Sequence, residues 1–346
     1  MEMTHKVTFR QVTRIVFNVI IQYLNFDDIM SLITALNLQT TRLDYGTIKL
    51  AHLNQVEYVF KNKHHFNYLG LVIFGVNLEE KKIKFNKSVK RLKLNRIQIY
   101  YIPDLNHLSN LQRLKITNNP IKTINKNIST SIEHLNLSYN KIRSMKNIDR
   151  LTRLKTLDLS CNYITKINYL DYSTQITELD LSNNGLQIID GLSKLIHLTK
   201  LNLSNNKIKK IQNLAVLGNL KELILINNKI ENLENLDNLT KIVYLNLCCN
   251  KVNRIQHLNN CRSLVILDLR NNKIDKIENL EWNRNLEILL LANNHISLLD
   301  NIFHLKNITV LDLGLNPIYT VDDKKLKDCF IHLQKLYLPN LPTLFN

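Results

Sequence analysis

Glycine, proline and cysteine are scarce in this chain of 346 residues, which holds only 7 Gly, 5 Pro and 5 Cys. So few glycines and prolines argue against long disordered linkers between domains. The cysteines are odd in number and no two stand in a Cys-x-x-Cys pair, which disfavours a disulfide framework or a zinc site. We therefore expect an intracellular protein, cytoplasmic or nuclear, without a bound metal.

No run of apolar residues approaches the roughly 20 that a membrane-spanning helix needs. The nearest candidate, residues 15–21, is interrupted by Asn18 and runs into Asp27 and Asp28 without a small-residue cleavage site. This segment is better explained as a helix in a protein core than as a signal peptide. We expect no contact with a membrane.

One short motif, Leu-x-x-Leu-x-Leu-x-x-Asn-x-Ile, recurs through most of the chain. A fixed period of this kind marks a solenoid of stacked repeats. The Leu-x-Leu alternation predicts a short strand with one apolar face, and stacked copies give a parallel sheet in which each repeat covers its neighbour. The Asn of the motif returns every 22 residues, at Asn162, Asn184, Asn206, Asn228, Asn250, Asn272, Asn294 and Asn316.

Other positions of the motif predict how consecutive repeats are joined. The Asn side chain both donates and accepts hydrogen bonds, so a column of Asn can tie each buried turn to the next. Apolar residues then recur at every third position, as in Ile208, Ile211, Leu214 and Leu217. That spacing fits a 3₁₀-like or irregular return limb better than a long α-helix.

The complete motif, with Ile-x-x-Ile-x-x-Leu after the Asn, resembles the short 22-residue leucine-rich repeat of the phosphatase-regulator type. The resemblance implies an α/β solenoid, a right-handed arc with its parallel sheet on the concave side. It also implies one possible function, a regulatory subunit of a protein phosphatase. We assign the repeats to residues 63–316, of which the first one or two are degenerate because Val76 and Ile97 replace the Asn.

The last segment, 317–346, is interpreted as a C-terminal cap. The pair Asp322 and Asp323 is typical of the start of a helix. That short helix is expected to hold Leu326, Phe330 and Ile331, with a final strand after it.

Residues 1–62 lack the repeat and carry apolar residues at helical spacing, which predicts a helical N-terminal cap. Within them the stretch 20–29, IIQYLNFDDI, resembles the middle of an F-box, although the family's opening proline and later tryptophan are absent. The resemblance implies that Tyr23, Leu24 and Ile29 contact a cullin adaptor in a ubiquitin-ligase substrate receptor. The segment can be a cap, an F-box or both.

No set of residues in the chain makes a convincing catalytic site. The sequence has neither a glycine-rich phosphate loop nor a nucleophile elbow. We therefore expect a non-enzymatic protein without catalytic residues or a cofactor. Four aspartates recur at one strand position, and we interpret them as part of a polar row with three asparagines: Asp158, Asp180, Asp268, Asp312, Asn136, Asn202 and Asn246.

Strand positions that face outward are the ones a partner can reach. A contiguous apolar patch on them, with a central Tyr, indicates a protein-binding site on the concave face, although neighbouring side chains can cover part of it. The predicted partner-binding residues are Glu178, Asp180, Ile224, Ile226, Tyr244, Ile266, Ile288, Leu290 and Val310. The early repeats instead present a basic surface of Lys90, Arg91, Lys93, Arg96, Arg113 and Lys115.

The positive charge is concentrated in the first part of the chain. Residues 1–150 hold 23 Lys and Arg against 10 Asp and Glu, a net +13, whereas 151–346 hold 23 against 19, a net +4. Such a surface can meet nucleic acid or an acidic protein. The early outward positions lack aromatic residues for base stacking, which disfavours a nucleic-acid-associated scaffold as the third possible function.

Overall fold

The computed structural model describes residues 43–50, 66–74, 85 and 87–339. The chain divides into two compact units, Met1–Lys141 and Ile142–Asn346. In the first unit the strands pair in chain order, each parallel to the next. Its strands are β1 Leu43–Leu50, β2 Phe66–Phe74, β3 Arg91–Asn95, β4 Arg113–Thr117 and β5 His134–Asn136.

The second unit repeats the same architecture with shorter strands, again parallel and in chain order. These strands are β6 Thr156–Asp158, β7 Glu178–Asp180, β8 Lys200–Asn202, β9 Glu222–Ile224, β10 Tyr244–Asn246, β11 Ile266–Asp268, β12 Ile288–Leu290, β13 Val310–Asp312 and β14 Lys335–Tyr337. Helix α1, Asp323–Cys329, and a 3₁₀ turn at Ile148–Arg150 complete its regular elements. The predicted solenoid with a parallel sheet is confirmed.

The core is a stack of the leucines that the motif places inside the sheet. Leu179 pairs in register with Leu201, and Leu201 with Leu223, so each repeat advances the pattern by one strand. All three side chains are almost fully buried. Burial of one such leucine contributes about 1.5–3 kcal/mol to the stability of the fold. The adjacent repeats supply the surfaces that bury it.

The asparagine column forms the ladder that the sequence predicts. Asn206 is typical: its Oδ1 accepts the N–H of Leu186 in the preceding repeat at 3.0 Å. Its Nδ2 donates to the carbonyls of Leu181 and Leu203, both at 3.0 Å. The side chain thus satisfies backbone groups of two consecutive repeats inside the stack, where water cannot replace it. We call this column the Asn ladder. Its other members are Asn119, Asn140, Asn162, Asn184, Asn228, Asn250, Asn272, Asn294 and Asn316.

The return limbs are irregular and contain 3₁₀-type turns, as the spacing of three predicts. In the limb that follows β8, Leu217 N–H donates to the carbonyl of Leu214, and Leu220 N–H to that of Leu217, both at 2.9 Å. Each bond spans three residues, which places an apolar side chain inward once per turn. A long α-helix would not fit between successive strands of so short a repeat.

The predicted polar row ends the strands. Asp180 Oδ1 accepts the N–H of Ser182 at 2.8 Å, and Asn202 Oδ1 accepts that of Ser204 at 3.1 Å. This Asx turn satisfies the first backbone group beyond each strand and bends the chain into the interior. The same bond recurs at Asn136, Asp158, Asn246, Asp268 and Asp312.

The expectation of helix throughout 1–62 is wrong for Leu43–Leu50, which form β1. Ile48 and Leu50 pair in register with Leu71 and Ile73 of β2, so this stretch carries its own Ile-x-Leu version of the motif. Alternation with Thr and Lys favours an extended strand, and the helical spacing seen further upstream does not reach it. The remainder of 1–62 lies outside the described residues.

The C-terminal segment begins with the predicted capped helix. Asp322 is the N-cap of α1, and its side chain accepts the N–H of Lys325 at 2.9 Å. Leu326 and Phe330 are buried as expected. The expectation for Ile331 is wrong, because the helix ends at Cys329 and the Ile331 side chain is 74% exposed. Strand β14 follows and pairs with β13.

Candidate protein-binding face of the sheet

The outer face of the sheet is the side opposite the buried leucines, and its side chains form two rows in register. In the second unit the first row runs Glu178, Lys200, Glu222, Tyr244, Ile266, Ile288 and Val310. The second row runs Asp180, Asn202, Ile224, Asn246, Asp268, Leu290 and Asp312.

Four consecutive positions of the first row are apolar: Tyr244, Ile266, Ile288 and Val310, which we call the apolar row. Neighbouring strands lie about 4.8 Å apart, so the apolar row is about 14 Å long. All four side chains are half-buried, because each shields part of the next. Leu290 widens the row at β12 from the second row.

Tyr244 is held by a hydrogen bond within its own strand. The Nδ2 of Asn246 donates to the Tyr244 hydroxyl at 2.7 Å and to Asp268 Oδ2 at 3.1 Å. The ring therefore has a fixed direction, with its polar end satisfied inside the protein. A rigid aromatic side chain of this kind loses little conformational entropy when a partner covers it.

A charged pair that the sequence did not reveal lies beside the apolar row. The Arg270 guanidinium donates from Nε to Asp268 Oδ1 at 3.0 Å and from Nη2 to Oδ2 at 2.7 Å. This bidentate hydrogen bond raises the pKa of Arg270, and the Asp268 side chain that accepts it is only 3% exposed. Arg270 stands two positions past the Asx residue Asp268, where four other repeats carry Ser, so the pattern alone indicates a turn residue.

The first row becomes charged on the side that precedes Tyr244. Lys200 Nζ lies 2.7 Å from Glu222 Oε2, and this hydrogen bond raises the pKa of Lys200, with further contributions from Glu178 and Asp180. Glu178 is exposed and Asp180 half-buried. Both lie on the outer face as predicted, but the Lys200–Glu222 pair separates them from the apolar row.

The remaining predicted partner-binding residues lie at the edges of the apolar row. Ile224 belongs to the second row on β9, whereas Ile226 follows that strand and is half-buried in the turn. A shallow depression of about 630 Å³ lies at the other edge, with Arg270, Leu290 and Tyr337 among its lining residues. The outer face therefore offers an apolar centre with polar margins.

The predicted basic surface is exposed in the first unit. Arg91 stands opposite Arg113 and Lys93 opposite Lys115 on β3 and β4. Lys90 and Arg96, also exposed, flank the two ends of β3.

Three further predictions concern the adaptor-binding residues, metal sites and membrane-spanning helices. Tyr23, Leu24 and Ile29 lie outside the described residues. In the part of the chain that the structure describes, no group of three or more His, Cys, Asp or Glu side chains has the geometry of a metal site. No helix in that part is long and apolar enough to cross a membrane.

Repeats joined by an Asn ladder beneath a parallel sheet define a leucine-rich-repeat solenoid, and family models agree. A model described as leucine-rich repeats in two copies matches residues 130–172 and 174–216. A second, described as a leucine-rich repeat, matches 260–276. No curated protein matches the chain.

Solved structures share the fold. An internalin from Listeria monocytogenes is 28% identical, with 70% of this chain and 71% of that chain covered and a TM-score of 0.66. A leucine-rich-repeat protein of Leptospira interrogans is 20% identical. The match covers 85% of this chain and 90% of that chain, with a TM-score of 0.63. YopM from Yersinia enterocolitica is 23% identical. The match covers 81% of this chain and 62% of that chain, with a TM-score of 0.65. This fold is consistent with a protein–protein interaction scaffold.

Proposed function

We propose that this protein is a non-enzymatic interaction scaffold that binds a protein partner on the outer face of its second unit. The observation that carries the proposal is the apolar row, from Tyr244 to Val310, which follows three charged positions of the same row, Glu178, Lys200 and Glu222. Leaving four apolar side chains in contact with water is unfavourable unless a partner covers them. The orientation of Tyr244 by Asn246 supplies a preformed aromatic contact.

The partner that fits this face is a protein segment with apolar side chains at its centre and polar groups at its ends. The apolar row meets Glu222 at one end and Lys335 at the other, so both margins can form charged or hydrogen-bonded contacts. The main alternative partner is a second copy of this chain, because two apolar rows can pack against each other in a symmetric dimer.

Capture with matched variants tests the proposal. Ile266→Asp places a charge in the centre of the apolar row, and Ile188→Asp makes the same change on the return limb that follows β7, where Ile188 is 58% exposed. A true partner is retained by the wild type and by Ile188→Asp and is weakened at least about tenfold by Ile266→Asp. Equal retention by both variants would contradict the proposal, and sedimentation of the purified chain alone tests whether the occupant is a second copy.

Two finer functions rest on the sequence resemblances. A ubiquitin-ligase substrate receptor requires a cullin adaptor at Tyr23, Leu24 and Ile29, and a phosphatase regulator requires a catalytic subunit on the sheet. Deletion of residues 1–45 separates them, because it abolishes adaptor capture in the first case and leaves the partner bound in the second. Recovery of no adaptor by the intact chain would end the ligase hypothesis, and retention of the partner by Tyr244→Ala would end the phosphatase one.

A further inference from the structure

Four cations stand together on the outer face of β3 and β4. Arg91 lies opposite Arg113, Lys93 lies opposite Lys115, and all four side chains are exposed. Among the described residues none of the four is within ion-pair distance of a carboxylate. Like charges directly opposite one another on neighbouring strands destabilise a sheet. We call these residues the cation cluster.

Two cations of the second unit have acidic partners. Lys200 lies 2.7 Å from Glu222 on the adjacent strand, and Arg270 lies 2.7 Å from Asp268. The cation cluster on β3 and β4 differs from these two positions, where a carboxylate lies beside each cation.

The size of the cation cluster limits what it can bind. Neighbouring strands are about 4.8 Å apart and alternate residues of a strand about 7 Å apart, so the four charges occupy a patch of that size. In register, Gly70 and Val72 on β2 bound it on one side, and His134 and Asn136 on β5 on the other. Single-stranded nucleic acid needs a groove for about four or more nucleotides with aromatic residues for stacking. None of these eight positions on β2 to β5 holds Phe, Tyr or Trp, so the dimensions favour one or two carboxylates.

We propose that the cation cluster binds an acidic segment of a partner protein, held in an extended conformation with Asp or Glu at alternate positions. Alternate side chains of an extended peptide lie on one face about 7 Å apart, which matches the separation of Arg91 from Lys93 and of Arg113 from Lys115. Binding removes the repulsion between the facing cations. This surface lies in the first unit and is independent of the apolar row.

Fluorescence anisotropy with a labelled Glu-Ser-Glu-Ser-Glu-Ser peptide tests the proposal on the full-length chain. The same peptide with Gln in place of Glu, and a single-stranded oligothymidylate of equal charge, serve as comparison ligands. Arg91→Gln/Arg113→Gln should weaken binding of the acidic peptide by roughly fivefold, since exposed ion pairs are individually modest. Lys122→Gln/Lys209→Gln removes the same charge from exposed return-limb positions and should leave binding unchanged.

Each alternative outcome overturns the proposal. Equal loss with the two double variants would mean that net charge alone attracts the peptide. Binding of the Gln peptide as tightly as the Glu peptide would mean that carboxylates are not recognised, and tighter binding of the oligothymidylate would identify a nucleic-acid site instead. Tyr244→Ala alters the apolar row and should bind the acidic peptide as tightly as the wild type does. Loss of peptide binding therefore tests the cation cluster separately from the proposed function of the apolar row.

Discussion

Replacement of Asn206 by leucine tests whether the Asn ladder stabilises the stack. Leucine is close to asparagine in size but cannot accept the N–H of Leu186 or donate to the carbonyls of Leu181 and Leu203. A buried N–H left without a partner costs about 1–3 kcal/mol, and each lost bond to a carbonyl adds about 0.5–1.5 kcal/mol. Burial of the added apolar groups offsets part of this loss. We expect the free energy of unfolding to fall by about 2–3 kcal/mol.

Asn140→Leu is the matched control, because the Asn140 Oδ1 has no hydrogen-bond partner among the described residues. Its Nδ2 donates to the carbonyls of Ile116 and Leu137 at 2.8 and 2.9 Å, so leucine removes these bonds but leaves no N–H unpaired. We expect a loss of only about 1 kcal/mol.

Urea unfolding followed by circular dichroism measures both variants. The dependence of the free energy on urea must be fitted together with the midpoint, because a solenoid can unfold in segments. An unchanged midpoint for Asn206→Leu, or equal losses for the two variants, would refute the role assigned to the ladder.

Two more predictions concern positions of the return limbs. Gly191 has a φ of +68°, and an added Cβ would lie 2.3 Å from the carbonyl oxygen of Ile167. Gly191→Ala should therefore lower the free energy of unfolding, measured by thermal melting, by more than about 1 kcal/mol. Gly218→Ala is the control, because a Cβ added there would lie 3.8 Å from its nearest neighbour, the carbonyl oxygen of Asn238. An equal loss of stability in the two variants would contradict the steric clash predicted at Gly191. Burial raises the pKa of Cys261 from 9.0 to about 12, so its contribution to stability is complete below pH 9 and is lost as pH rises towards 12. Cys261→Leu should remove that dependence, and a difference in stability from the wild type that stays constant from pH 8 to pH 11 would contradict it.

Much of the fold is predictable from the sequence, because one motif repeated at a fixed period leaves little choice of topology. The Leu-x-Leu strands, the Asn ladder and the polar row all follow from residue types whose chemistry suits one position. The motif does not predict strand β1, because Leu53 stands where the motif has Asn and only Ile48 and Leu50 carry the pattern.

Some features of the outer face depend on geometry that no spacing reveals. The bond between Asn246 and Tyr244 and the bidentate pair of Asp268 with Arg270 require knowledge of side-chain direction. A second asparagine column, in which Asn213 and Asn235 donate to carbonyls of the preceding limb, was detectable from the same 22-residue spacing. These residues lie outside the strand motif, so that motif alone does not predict the second column.

Site-specific photocrosslinking tests the central claim most directly. A benzoylphenylalanine in place of Tyr244 lies in the apolar row, whereas the same group in place of Ile188 lies on the exposed return limb that follows β7. The account predicts that the captured partner crosslinks from position 244 and not from position 188. Crosslinking from position 188 alone, or from both positions equally, would contradict recognition by the outer face of the sheet.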